Sequence, residues 1–266
     1  RAMLEKLHGQ GHIYATDVDP EESAKTRERL KDLGFTEDIL TIRLQNFCTV
    51  DEIAREAGGF DFLLADLGVS SMQIDNPKRG FSFKIDGPLD LRLNQEKGIS
   101  AAKRLESISR DELAGMFYEN SDEPYSDEIA KAIVDEIRKG NHIDTTTKLR
   151  QIIEATLSFL PETERKETVK KTCQRVFQAL RIDVNNEFEV LYEFMEKLPN
   201  VLKPGGRAAI LTFHSGEDKL VKKALKAGFK AGIYREYSKD VVRPSAQECA
   251  QNPRARSTKM RWAIKA

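Results

Sequence analysis

The stretch FDFLLADLG, residues 60–68, decides the fold, because a near-continuous apolar run is typical of a central strand in a parallel sheet. Toward the amino terminus, HIYATD (12–17) indicates a buried strand that ends in a carboxylate, and ILTIRLQNF (39–47) alternates as strands do. A helix between these two strands is expected to start at Asp19, which can cap it, and to stop at Gly34. Strands that alternate with helices predict a doubly wound α/β sheet.

The pattern changes farther along the chain. Residues 101–160 show helical periodicity and contain no convincing strand. The segment LKPGGRAAILTFHS (202–215) then returns to a turn that leads into a strand. The sequence therefore predicts one α/β domain made of residues 1–87 and 174–266, interrupted by an inserted helical domain of residues 88–173.

Composition limits the function classes. Lys plus Arg number 43 and Asp plus Glu number 43, so the formal net charge is zero and an RNA partner requires a local basic patch, or shape and base contacts. No apolar run approaches the roughly 20 residues that cross a bilayer, and the first residues resemble no targeting peptide, so a cytoplasmic protein is expected. Three widely spaced cysteines indicate neither a zinc site nor a disulfide framework.

Polar and aromatic residues follow the predicted strands, at the edge where open α/β sheets bind ligands. Asp17 suits hydrogen bonds from ribose hydroxyls, with a solvated turn carboxylate as the alternative. Phe47 can stack on an adenine ring or belong to the core. Asp66 leaves a buried strand and needs a partner, which is either an amine or cationic ligand or the backbone amides of its own loop.

Two segments combine features that suit RNA, because cations contact phosphates and aromatic rings stack on bases. In the loop at residues 73–94 the candidates are Lys78, Arg79, Phe81 and Arg92. Near the carboxyl terminus, the candidates for phosphate contacts are Arg254, Arg256, Lys259 and Arg261. A surface loop with anchoring phenylalanines and a solvated tail are the structural alternatives.

His214 follows the strand predicted within residues 202–215, so it is a candidate to face the same edge of the sheet. Its ordinary pKa of about 6.5 suits it to accept a proton from a substrate amine. A structural or substrate-orienting role is the preferred interpretation.

Four long motifs occur in one order along the chain. They are DLGVSSMQIDNPKRGFSFKIDGPLDLRLN (66–94), FQALRIDVNNE (177–187), LKPGGRAAILTFHSGEDKLVK (202–222) and NPRARSTKMR (252–261). Together they resemble the signature of the bacterial 16S ribosomal RNA cytosine-N4 methyltransferase family, RsmH, also called MraW. The resemblance extends from near the start of the chain to its last ten residues.

The resemblance implies a Rossmann-like class I methyltransferase sheet with an inserted all-helical substrate-recognition domain. S-adenosyl-L-methionine would be the cofactor, with Asp17 at its ribose, Phe47 at its adenine, and Asp66 with Gln73 completing the pocket. Asp66 and the loop Gly68–Ser71, in which Ser70 is a catalytic candidate, would lie where the target amine is held. In this family that amine is N4 of a cytosine in the decoding region of 16S rRNA in the small subunit. No metal and no membrane are implied, and a homodimer is left open.

The sequence departs from the family pattern in several places. The family's first strand and Gly-rich cofactor loop are expected just before Arg1 and are absent from this chain. Met72, Gly216 and Asn94 replace a usual proline, leucine and aspartate. None of these three is a proposed ligand, whereas the absent loop makes a catalytically silent RNA-binding or ribosome-assembly module an alternative.

A nicotinamide-dependent oxidoreductase is the other alternative, because it too places an acid after a strand. The chain contains no Gly-x-Gly-x-x-Gly, and no Tyr is followed four residues later by Lys. The motifs therefore favour methyl transfer.

Overall fold

The computed structural model describes residues 1–266 and divides into two compact units. The first unit comprises Arg1–Gly68 and Phe188–Ala266, and the second comprises Val69–Glu187. None of the helices combines the length and apolar character that crossing a membrane requires.

Six strands belong to the first unit. They are β1 (Ile13–Asp17), β2 (Leu40–Leu44), β3 (Phe60–Asp66), β4 (Leu202–Thr212), β5 (Tyr234–Tyr237) and β6 (Lys259–Lys265). β1 pairs with β2 in parallel, and β3 pairs with β4 in parallel. β6 lies antiparallel between β4 and β5.

Twelve α-helices accompany these strands. They are α1 (Ala2–Leu7), α2 (Pro20–Asp32), α3 (Val50–Ala57), α4 (Ser71–Asp75), α5 (Ala101–Ser107), α6 (Arg110–Ser121), α7 (Ser126–Arg138), α8 (Thr146–Thr156), α9 (Glu162–Asn185), α10 (Glu187–Val201), α11 (Ser215–Lys230) and α12 (Ala246–Gln251). The start of α2 is as predicted, since Asp19 accepts hydrogen bonds from the backbone of Glu21 and Glu22.

The strand order identifies the sheet. The two groups of strands have the orders β1-β2 and β3-β4-β6-β5, and β1 and β3 each have one edge without a partner strand. A doubly wound sheet with the order 3-2-1-4-5 contains two such parallel pairs, one on each side of its centre. β3 lies at the edge of its four-stranded sheet and not, as its apolar run had predicted, at the centre, and its Phe62 and Leu64 are 51% and 43% exposed. The Rossmann-like α/β fold is therefore confirmed.

The core of the first unit lies against the second sheet. α10 and α11 contribute side chains that are almost fully buried, including Phe194, Leu198, Val221 and Leu225. A smaller cluster joins Leu4, Leu30 and Leu40 beside β1 and β2. The ring of Tyr14 in β1 lies edge-on to the ring of Phe60 in β3 at 6.2 Å, which is a contact between the two groups of strands.

The second unit is helical, as predicted, but it is longer than the predicted insertion. Its core draws Leu89 and Leu91 from the loop before α5, both 1% exposed, and Phe81 and Phe83 pack against the same core. α9 runs without a break through the predicted boundary at residue 173. The unit therefore begins at Val69 and ends at Glu187 because side chains on both flanks belong to the helical core.

Gly80 gives a test of how tightly this loop is packed. Its φ is +73°, and a Cβ there would lie 2.2 Å from the carbonyl oxygen of Pro88. We expect Gly80→Ala to destabilise the protein by about 3 kcal/mol or more, because backbone strain adds to a backbone clash. Gly98→Ala is the matched control, since its φ of +68° imposes strain but no atom lies within 4 Å of the new Cβ. Equal losses in urea unfolding for the two variants would contradict this packing.

Candidate functional site

Four sequence-predicted residues follow the ends of strands in the first unit. Asp17 is the last residue of β1 and Asp66 the last of β3. Phe47 comes three residues after β2, and His214 comes two residues after β4. In register, Asp17 is opposite Leu44 and Asp66 is opposite Leu211. Each residue is therefore placed by the strand that the sequence predicted for it.

The Asp66 carboxylate is exposed and forms no hydrogen bond or ion pair. The following residue, Leu67, is buried and donates its backbone N–H to Leu211, so the sheet continues one residue past the acid. Desolvation raises the pKa of Asp66 above its ordinary value. The backbone amides of the next loop do not satisfy the carboxylate, so it is available to an external donor.

The Asp17 carboxylate is anchored on one side. Its Oδ1 accepts a hydrogen bond from the backbone of Asp19 at 2.9 Å, which leaves Oδ2 for another donor. Desolvation is the main cause that raises the pKa of Asp17, and the charges of Asp19 and Glu22 act in the same direction. Asp17 and Asp66 are thus two carboxylates whose surroundings favour an added hydrogen-bond donor.

Phe47 begins a short 3₁₀ helix, Phe47–Thr49, which Asn46 caps by accepting a hydrogen bond from the backbone of Cys48. Its ring meets Phe194 edge-on at 5.2 Å and packs against the core of the first unit, while part of the residue stays exposed. Core packing therefore orients this ring, and its role at an adenine stays a prediction.

His214 is held inside the first unit. Its side chain is 9% exposed, its ring packs against Phe188 at 5.7 Å, and its Nε2 lies 3.3 Å from a carboxylate oxygen of Glu217. The other oxygen of Glu217 accepts hydrogen bonds from the backbone of Phe213 and His214. Glu217 thus fixes the turn between β4 and α11, and this burial suits the structural role that the sequence analysis preferred for His214.

Ser70 and Gln73 lie in the second unit, where they cap α4. Gln73 Oε1 accepts the backbone N–H of Ser70 at 2.8 Å, and Ser70 Oγ accepts the backbone N–H of Gln73 at 3.2 Å. Gln73 is buried, whereas Ser70 is exposed. This capping box was not predicted, although Ser-x-x-Gln is its known signature. The cofactor role of Gln73 and the catalytic role of Ser70 stay predictions.

The structure corrects the RNA-contact prediction for three residues of the loop before α5. Arg79 is 3% exposed and donates to the backbone carbonyls of Arg92 and Leu93. Arg92 forms a two-bond pair with Asp90, and Phe81 lies under the Arg79 guanidinium and against the helical core. These side chains hold the loop together. Lys78 is exposed and remains a candidate for RNA.

The basic residues near the carboxyl terminus also fall into two groups, one paired within the protein and one exposed. Arg261 is 4% exposed and pairs with Asp218 at 2.7 Å, and Lys259 lies 3.7 Å from the same carboxylate. Arg254 and Arg256 are exposed, in the 3₁₀ helix Pro253–Ser257. The prediction that Arg261 contacts phosphate is therefore wrong. The alternation of MRWAIKA could have shown it, because Arg261 and Ala263 share the buried face of β6.

A Rossmann-like sheet with available carboxylates at the ends of two strands is a framework that nucleotide-binding enzymes commonly use. The family model described as the MraW methylase family matches residues 1–266. This chain belongs to the MraW methylase family.

Curated relatives agree with this assignment. The chain is 80% identical over its whole length to "Ribosomal RNA small subunit methyltransferase H 1" of Agathobacter rectalis, of which it covers 76%. It is 71% identical to the protein of the same name from Lachnoclostridium phytofermentans, covering 73% of it. Ribosomal RNA small subunit methyltransferase H of Halorhodospira halophila is 37% identical, over 99% of this chain and 83% of the relative. The family expected from the sequence motifs is confirmed, and the chain is a methyltransferase.

Proposed function

We propose that this enzyme transfers a methyl group from S-adenosylmethionine to the exocyclic N4 amine of a cytosine in the decoding region of 16S ribosomal RNA. The observation that carries the proposal is the Asp66 carboxylate, which ends strand β3 without a hydrogen-bond partner. The names of the relatives, which specify methylation of small-subunit ribosomal RNA, support the class of substrate.

The residues of the first unit fit the cofactor. Asp17 offers its Oδ2 to the ribose hydroxyls, because Oδ1 accepts the backbone N–H of Asp19. Phe47 offers the exposed part of its ring to the adenine. When bound, S-adenosylmethionine supplies an electrophilic methyl group on a sulfonium. The contact between Tyr14 and Phe60 supports a shared crevice for Asp17 and Asp66, because it brings β1 close to β3 although the two strands belong to different sheets.

Asp66 acts on the substrate amine. The lone pair of a cytosine amine is conjugated into the ring, so the amine attacks poorly until that conjugation is reduced. A hydrogen bond from the amine to the Asp66 carboxylate favours the pyramidal form and fixes its direction of attack. The raised pKa of Asp66 makes this carboxylate a stronger acceptor than an ordinary one. The target base reaches the crevice after unstacking, at a cost of a few kcal/mol.

His214 and Glu217 serve the site indirectly in this proposal. Because His214 is buried and beside Glu217, it fixes the end of β4 next to the strand that carries Asp66. Ser70 and Gln73 shape the loop that follows β3 through their capping box. The helical second unit, Val69–Glu187, would recognise the substrate, as the family resemblance implies.

The product identifies the reaction. Small ribosomal subunits that lack the modification are incubated with methyl-labelled S-adenosylmethionine and the full-length enzyme, and the rRNA is digested to nucleosides. We expect the label in N4-methylcytidine. Label in another nucleoside would contradict the proposed acceptor. No label, together with retained binding to the subunits, would instead indicate a catalytically silent RNA-binding module.

A further inference from the structure

The helix α11 carries five exposed lysines on one face. They are Lys219, Lys222, Lys223, Lys226 and Lys230, called here the α11 lysine stripe. At about 100° per residue they fall within an arc of about 100°, and at about 1.5 Å per residue the stripe is roughly 16 Å long. The spacing i, i+3, i+4, i+7, i+11 makes it a continuous row along the helix.

The charge of the α11 lysine stripe is not neutralised within the protein. None of its lysines forms an ion pair, whereas Lys197 on α10, for example, lies between Asp51 and Glu193. The two acidic residues of α11 point inward: Glu217 is 3% exposed, and Asp218 is paired with Arg261. A chain with a formal net charge of zero thus concentrates uncompensated positive charge on one helix face.

Folding does not require this row, since lysines three and four residues apart repel one another and weaken the helix. Insertion into a lipid surface does not explain it either. Such insertion needs a free apolar face, whereas Val221 and Leu225, on the opposite side of α11, are fully buried in the core of the first unit. A row of charges over a covered apolar face suits contact with an external polyanion.

Two further observations favour single-stranded RNA as that polyanion. Phe229 is 40% exposed and stands beside the stripe, where its ring leans on Tyr237 at 5.0 Å. Exposed aromatic rings beside cations are the usual means of binding unpaired nucleotides. In addition, α11 begins directly after β4, whose Leu211 is opposite Asp66 in the sheet. A strand of RNA that follows the stripe therefore leads to the edge where Asp66 lies.

We propose that the α11 lysine stripe binds the phosphates of the ribosomal RNA strand that carries the target base, an inference that rests on the proposed function. The sequence predicted basic patches in the loop before α5 and on β6. Arg79, Arg92 and Arg261 of these segments instead form hydrogen bonds within the protein. The α11 lysine stripe, in contrast, is exposed and can contact phosphates. It supplies binding and register without base specificity.

The test is the triple variant Lys222→Gln, Lys223→Gln, Lys226→Gln in the full-length enzyme, with small subunits that lack the modification as substrate. We expect KM for the subunits to rise about tenfold, with kcat and the affinity for S-adenosylmethionine unchanged, because these contacts are made equally in the ground and transition states. The dependence of log K on log salt should become shallower by about 2. Replacing the same three lysines by arginine should preserve KM.

A matched control removes three exposed cations of the same unit that also form no ion pair, Lys6→Gln, Arg29→Gln and Lys31→Gln. It should leave KM unchanged. The proposal would be overturned if KM and the salt slope of the stripe variant were unchanged. It would also be overturned if the stripe variant lost binding to phosphatidylglycerol vesicles but still bound RNA. The wild type could bind the subunits through these lysines without methylating them. In that case the proposed function would be wrong and the binding role of the α11 lysine stripe would be supported.

Discussion

Asp66→Asn is expected to lower methyl transfer by about 10²- to 10³-fold while leaving the protein at least as stable as the wild type. The loss of activity follows because an amide is a weaker acceptor for the substrate amine than the carboxylate. The stability follows from the pKa, which desolvation raises in the folded state. The contribution of such an acid to stability is present below its unfolded pKa and is lost as pH rises through the folded value. At neutral pH the ionised Asp66 is therefore unfavourable in the fold.

The measurement combines single-turnover methylation with urea unfolding at pH 7. Asp61→Asn is the matched control, since Asp61 lies on the same strand, is exposed and pairs only with Lys203 at the surface. We expect it to retain activity, because a surface ion pair contributes little. If Asp66→Asn lost activity and stability together, Asp66 would be a structural residue and its catalytic assignment would be wrong.

Arg261→Ala should destabilise the protein by about 3–5 kcal/mol, the cost of removing one partner from a buried charge pair. The guanidinium donates to Asp218 and to the backbone carbonyl of Lys239, so its loss leaves Asp218 with Lys259 alone at 3.7 Å. Arg256→Ala, at an exposed position a few residues away, should change the unfolding free energy by less than about 0.5 kcal/mol.

The pH dependence of Arg261→Ala gives a second readout. Burial alone would raise the pKa of Asp218, but the hydrogen bond and charge of Arg261 outweigh it and hold the pKa below its ordinary value. The stabilisation is therefore present above the unfolded pKa of about 3.9 and is lost as pH falls through the folded value. The variant should lack this loss of stability in acid. If Arg261→Ala kept the stability of the wild type at all pH values but bound RNA more weakly, Arg261 would be a phosphate contact after all.

The positions of the strands could be predicted because their signals are local. The apolar run that forms β3 and the Asp19 cap of α2 depend on neighbouring residues alone, so their starts and ends follow from spacing. The acids at the ends of β1 and β3 were found for the same reason. The length of the second unit could not be predicted, because Leu89 and Leu91 join the helical core through contacts with residues that are distant in sequence.

The basic residues show where sequence reasoning fails. Composition does not distinguish an arginine that binds phosphate from one that pairs inside the protein, and the partner of Arg261 is 43 residues away. Arg79 is bound by backbone carbonyls, which no sequence pattern marks. The row of lysines on α11 has a helical period in the sequence but was not predicted as a site, because its significance depends on the burial of the opposite face of the helix.

The most direct test of the account is a crystal structure of the full-length enzyme with S-adenosylmethionine. We expect the ribose hydroxyls at the free oxygen of Asp17 and the methyl group facing the carboxylate of Asp66, in one crevice between β1 and β3. A cofactor bound elsewhere, with both carboxylates in contact with solvent only, would contradict it.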